Sequence, residues 1–183
     1  LEKSFFIAKE GRPGPVLIDI PDNLQRELIE EKNLKSFVKT NLLTKKIFPS
    51  TKDKVDLIMQ HFKKAKRPVV IAGWGIHLSR TEAAFLKFIN RFQIPVALTW
   101  GAADLIESNN QFYIGTFGTH GMRHANFAVQ NADLIISLGS RLDTKSTGSP
   151  INTFAREAKK IMIDIDPNEL GKFESFGLNF DLL

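Results

Sequence analysis

Cysteine is absent from this 183-residue chain. Disulfides, thiolate metal sites and a cysteine nucleophile are therefore excluded, and a cytoplasmic setting is the expected one. Long apolar runs are missing as well. Nothing approaches the roughly 20 residues that cross a bilayer, so no membrane partner is expected. No signal-peptide pattern is visible, and Leu1 in place of Met reads as a cut end with sequence upstream. No His-x-x-x-His pair is accompanied by an acid, so no metal ligands are expected. Acidic residues are scarce where lysine is plentiful: ten lysines fall between Lys32 and Lys66 against Asp53 and Asp56, within a formal net charge of +5. A nucleic-acid surface would gather such lysines on one face with aromatics between them. Here they are spread over a linker and one helix, which points to a solvated face or a surface meeting another domain, and not to nucleic acid.

What is present suffices for a real core, with 43% hydrophobic and 25% charged residues. Gly11-Arg12-Pro13-Gly14-Pro15 is a rigid turn, and Val16–Ile20 after it reads as a strand stopped by Pro21. From 22 to 50 the periodicity is weak, as in a crossing linker with one short helical piece. Residues 51–66 read as a helix with apolar positions Val55, Ile58, Met59 and Phe62 and Ser50 as N-cap. A strand at 69–72 follows, then a helix opening at Ser79 with Glu82 completing a capping box and a stripe of Phe85, Phe88, Ile89 and Phe92. A strand at 95–98, an irregular stretch over 101–120 and a helix from about Gly121 to Asn131 come next. A strand at 134–138, a short helix over 151–157 and a last strand at 161–165 complete the series. The strands are continuous apolar runs alternating with helices. That pattern predicts a Rossmann-like α/β domain, three-layered, with a mostly parallel sheet and helices on both faces.

In such a sheet, ligands bind outside the carboxyl ends of the strands. The four strands end in Gly73-Trp74-Gly75, Thr99-Trp100-Gly101, Gly139-Ser140-Arg141-Leu142-Asp143 and Asp164-Ile165-Asp166, all expected on one edge. Glycines let backbone approach a phosphate or flat ring, Arg141 suits a pyrophosphate, and Asp164 or Asp166 suits ribose hydroxyls. The amides of Gly121 and Met122 are candidates for a helix-start anion site. Each feature has a plainer reading. Gly73-x-Gly75 lacks the third glycine of the dinucleotide fingerprint and equally suits a strand-to-helix turn. Arg141 and Asp143 could pair with each other or with neighbours, and Asp164 could merely cap the next turn. His120 and His124 suit structural roles, and His61 and His77 have no evident partner. Trp74 and Trp100 suit either a core or a stacking platform.

The turn at 11–21 resembles the end of the pyrimidine-binding domain of acetolactate synthase and its thiamine-diphosphate-dependent relatives. Phe117-Gly118-Thr119-His120-Gly121, Ala125-Asn126-Phe127-Ala128-Val129, Asn131–Ile136, Gly139–Asp143, and Asp164-Ile165-Asp166 with Glu169-Leu170-Gly171-Lys172 resemble that family's central domain. The resemblance implies residues 1–21 as a remnant of the pyrimidine-binding domain, 22–50 as linker and 51–183 as the central domain. It implies a longer enzyme, a transferase or lyase acting on a 2-oxo acid by decarboxylation or carboligation. Thiamine diphosphate and Mg2+ would be held by domains outside this chain, in a homodimer or homotetramer. In the family the central domain holds FAD or, in one branch, ADP, and some relatives hold neither. Carried over position by position, the contacts are Arg12, Gly73, Gly75, Thr99, Gly118, His120, Gly139, Arg141, Asp143, Asp164 and Ile165. The chain departs from the pattern at Asp143-Thr144-Lys145, where the family has a second acid and an arginine, and at Trp74 and Trp100, where smaller residues are usual. The resemblance places no catalytic residue in this chain. Two other readings stand beside it: a ligand-free assembly domain of such an enzyme, or a free-standing NAD-binding domain.

Overall fold

The computed structural model describes residues 1–38, 51–173 and 181–182. The chain divides into two compact units, Leu1–Pro49 and Ser50–Leu183. The first unit holds α1 (Glu2–Lys9), α2 (Asp22–Gln25) and a 3-10 turn at Glu31–Asn33. The Gly-Arg-Pro-Gly-Pro turn is closed by Gly14 N–H donating to Ala8 O at 3.1 Å. Phe6 and Phe37 meet with ring centroids 5.4 Å apart. The strand expected at 16–20 does not form. A strand exists only through a hydrogen-bonded neighbour, and none pairs with it among the described residues, so Leu17 stands 93% exposed and Ile20 O accepts from Gln25 Nε2 instead. The short helical piece expected in the linker is α2. The proposed cap Ser50 lies outside the described residues.

The second unit alternates helix and strand: α3 (Thr51–Lys64), β1 (Pro68–Ala72), α4 (Gly75–Leu78), α5 (Glu82–Phe92), β2 (Val96–Leu98), β3 (Tyr113–Thr116), α6 (Arg123–Gln130), β4 (Leu134–Leu138), α7 (Thr144–Thr147), β5 (Lys159–Ile163), α8 (Pro167–Gly171) and β6 (Asp181–Leu182). The six strands form one sheet in the order β3-β2-β1-β4-β5-β6, and every neighbouring pair is parallel. The winding reverses between β1 and β4, as in doubly wound nucleotide-binding folds.

Strand residues alternate between two cores, which is why the runs are apolar throughout. Val69 and Ile71 of β1 join Ile135, Phe154 and, from α6, Ala125 and Val129. Val70 and Ala72 join the opposite cluster with Phe85 and Ile89 of α5, against which Ile58 and Phe62 of α3 pack. Each fully buried Ile, Leu or Val contributes about 1.5–3 kcal/mol. Val55, placed in the α3 stripe by its spacing, is 48% exposed. The amino ends of the strands are tied by Asp133. Its carboxylate accepts from the amides of Lys66 at 2.7 Å and Arg67 at 2.9 Å. Burial would raise the Asp133 pKa, but these two amides and the Arg67 charge outweigh it and hold the pKa below the usual range.

Four local expectations need correction. Residues 113–116 form β3, hidden in the Gly/Asn-rich stretch because it is a half-buried edge strand whose Gly115 has φ +98°. Ser79 caps no helix start: Arg80 adopts φ +55° and breaks the chain between α4 and α5. The Ser79 hydroxyl accordingly donates back to Ile76 O. The helix expected over 151–157 is only a 3-10 turn at Ile151–Thr153. The last full strand runs 159–163, so Asp164 and Ile165 fall just beyond it. No helix among the described residues is long and apolar enough to cross a membrane.

Candidate functional site

The ladder brings the strand ends level. Ala72 pairs with both Leu98 and Leu138, Leu138 pairs with Ile163, and Leu98 pairs with Thr116. The loops carrying Thr99, Gly73, Gly139 and Asp164 therefore leave one edge side by side, as expected, and the crevice of a doubly wound sheet lies between the Gly73 and Gly139 loops.

The glycines there serve each other first. Gly73 N–H donates to Leu138 O and Gly75 N–H to Gly139 O, both at 2.9 Å. A Cβ on Gly73 would lie 2.4 Å from Gly139 O, and one on Gly139 would lie 2.7 Å from Gly75 Cα. Glycine at these positions is thus explained by two loops laced backbone to backbone. The two amides read as anion donors are also engaged, Gly121 to Gly118 O and Met122 to Thr116 O, and Gly118 N–H donates to Asn126 Oδ1. Neither Gly121 nor Met122 opens a free helix start; α6 begins at Arg123. In contrast, the amides of Trp74, Ser140 and Arg141 find no acceptor among the described residues.

The side chains sort as follows. Arg141 does not pair with Asp143. Its Nε lies 3.4 Å from Glu169 Oε1, and its guanidinium side chain stays 58% exposed. Glu169, 13% exposed, also receives Lys172 Nζ at 2.7 Å, and Lys172 Nζ donates to Arg141 O. Helix α8 therefore holds the Arg141 loop from below. Asp143 caps α7, accepting from Ser146 N–H at 3.0 Å. Asp164 accepts from Asp166 N–H at 2.9 Å, the local turn that its plainer reading anticipated. Ile165 is 62% exposed. Thr99 N–H is bonded to Ala72 O. Gly118, at φ +104°, presses against Lys145 O, from which a Cβ would be only 2.5 Å. His120 stacks on Trp100 with centroids 5.2 Å apart. Trp74 and Trp100 are 50% and 63% exposed, so neither is core. Arg12 is an exposed residue of the first unit.

One constellation had no signal in the sequence. His77 Nδ1 meets Glu82 Oε1 at 2.9 Å while its Nε2 meets Asp104 Oδ1 at 3.1 Å, and Trp74 packs 4.5 Å from its ring. The hydrogen bond to Glu82 raises the His77 pKa; partial burial opposes that, and Asp104 adds to it. Asp104 lies 27 residues away, so no local spacing announces the contact. No group of three or more His, Asp or Glu able to hold a metal occurs among the described residues.

Residues 55–179 match the family model described as thiamine pyrophosphate enzyme, central domain. The chain is 35% identical over 172 residues to the acetolactate synthase isozyme 2 large subunit of Escherichia coli, covering 94% of this chain and 30% of that protein. It is 39% identical over 174 residues to the probable acetolactate synthase large subunit of Methanococcus aeolicus, covering 92% and 28%. The acetolactate synthase large subunit of Cyanidium caldarium is 33% identical over 174 residues, at 94% and 30%. The chain thus spans about 30% of the length of these curated relatives.

Proposed function

Because the chain belongs to the central-domain family of thiamine pyrophosphate enzymes, we propose that it is the non-catalytic, nucleotide-holding part of an acetolactate synthase-like enzyme. FAD or ADP would lie along the rim between the Gly73 and Gly139 loops. The observation that carries this reading is the pairing of an exposed Arg141 guanidinium with three acceptor-less amides, those of Trp74, Ser140 and Arg141, on the two loops flanking the winding reversal. That donor set fits a pyrophosphate: charged forks and free amides are what its oxygens require. Asp164 would face the ribose, and Trp100 with His120 offers a flat surface on the β2 side of the rim. The rest of the enzyme would act on a 2-oxo acid, with thiamine diphosphate supplying the electron sink when bound. Thiamine diphosphate and Mg2+ would be held outside residues 1–183, in a cytoplasmic homodimer or homotetramer.

The test is calorimetric titration of the chain with FAD and with ADP. One of them should bind, and Arg141→Ala should weaken it about tenfold or more, as loss of a charged hydrogen-bond donor does. Equal affinity in the variant would remove Arg141 from the site. A second reading, a ligand-free assembly domain, is favoured by the lacing of Gly73, Gly75 and Gly139, which leaves their amides no donor for a phosphate. It predicts that neither nucleotide binds.

A further inference from the structure

A second groove lies on the outer side of α6. The helix turns Ala125 and Val129 to the core and leaves Phe127 56% exposed. Between the helix and the turn before β5 is a cavity of about 640 Å³, lined among others by Arg123, Phe127, Gln130, Asn131, Arg156 and Glu157. That volume falls within the roughly 300–1,000 Å³ usual for small-molecule sites.

The lining has a definite chemistry. Arg123 Cζ lies 5.5 Å from the Phe127 ring centroid, so a cation is stacked on the aromatic face. Among the described residues neither Arg123 nor Arg156 has a carboxylate within ion-pair distance. Gln130 Oε1 accepts from Ala155 N–H, which fixes the side chain and leaves its amide nitrogen as a donor. Asn131 Nδ2 donates to Phe127 O and so keeps its carbonyl oxygen as an acceptor. Glu157 is the one acid among the lining residues. Two guanidiniums, an amide donor and a half-exposed ring in one concavity call for an anionic head on a flat apolar body.

We propose that this groove is a binding site for a small aromatic anion, its phosphate or carboxylate gripped by Arg123 and Arg156 and its ring laid against Phe127. The probe is phenyl phosphate, titrated into the 15N-labelled chain at pH 7.5, with inorganic phosphate as the comparison. Phenyl phosphate should bind roughly tenfold more tightly than phosphate, shifting the amides of 121–131 and 155–158. Arg123→Gln and Arg156→Gln should each weaken it about tenfold. Phe127→Ala should erase the advantage over phosphate. These side chains are exposed, so thermal melts of the variants should match the parent. Phenyl phosphate binding no better than phosphate, or unchanged affinity in Arg156→Gln, would overturn the proposal. So would shifts that fall on 73–75 and 139–141 and vanish in Arg141→Gln, or a concentration-dependent dimer that Arg156→Glu disperses.

Discussion

The two sides of the carboxyl rim are built by different means. At the centre, between β1 and β4, the loops are joined by backbone alone: Gly73 and Gly75 bond to Leu138 and Gly139 with no room for a Cβ. Toward β2, the rim is built from side chains. Trp74 packs on His77, His77 bridges Glu82 and Asp104, and Trp100 stacks on His120. Backbone lacing is rigid and intolerant of any substituent. Side-chain assembly is exposed and open to titration. The centre should therefore respond to mutation through stability, and the flank through pH and surface chemistry.

The sharpest way to break this comparison is at its centre. Gly73→Ala places a methyl against Gly139 O and the Ser140 backbone, none of which can yield as a flexible side chain would. Chemical denaturation should show a loss of about 3 kcal/mol or more, an overpacking penalty at its upper range. A loss below about 1 kcal/mol would show that the loops part easily. Gly139→Ala should be similarly costly, since φ +59° adds strain to the clash. The opposite rim supplies a charged side-chain control. Asp133→Ala removes the acceptor of two amides and should cost about 2–3 kcal/mol by urea melts. Because its pKa is lowered on folding, that contribution is full above the unfolded carboxylate range and fades as pH falls through the folded value.

The flank should give smaller effects of opposite sign in pH. The His77 pKa is raised on folding, so its bridge is fully formed below about pH 6.5, the ordinary histidine value. It is lost as pH rises through the folded value. Difference melts of His77→Gln against the parent should shrink as pH climbs from 6 to 8. A constant difference would mean the ring packs without its charge. Smallest of all, Trp100→Ala should change stability by no more than about 0.5 kcal/mol, as for an exposed side chain, while removing the ring stacked on His120.

The same contrast explains how much could be read from the sequence. β1, β2, β4 and β5 were legible because burial on both faces forces continuous apolar runs such as Leu134–Leu138. From those four the sheet, its direction and the shared rim follow. β3 escaped because an edge strand with Tyr113, Ile114 and Thr116 half-buried carries no such run. Val16–Ile20 misled for the converse reason, since its composition suits a strand but no neighbour among the described residues pairs with it. Within the site, Arg141, Asp143 and Asp164 were placed on the right loops and the local turn of Asp164 was anticipated, while the partners of Arg141 and Asp143 were not. Arg141 turns to Glu169, and Asp143 and Asp164 serve local turns. A glycine in a sequence announces a missing side chain without naming what fills the space. Here another backbone fills it at 73 and 139. His77 and Asp104 are joined only by folding, so nothing in their spacing could reveal them.

The register that levels the strand ends has one more consequence. The sheet consists of two consecutive blocks of chain, 68–116 and 134–182, and among the described residues their strands pair only along β1 and β4. Anything lying across that seam at the rim would grip the Trp74 amide on one block and Arg141 on the other. It would act as a staple on the junction, resisting separation of the halves without touching either hydrophobic core.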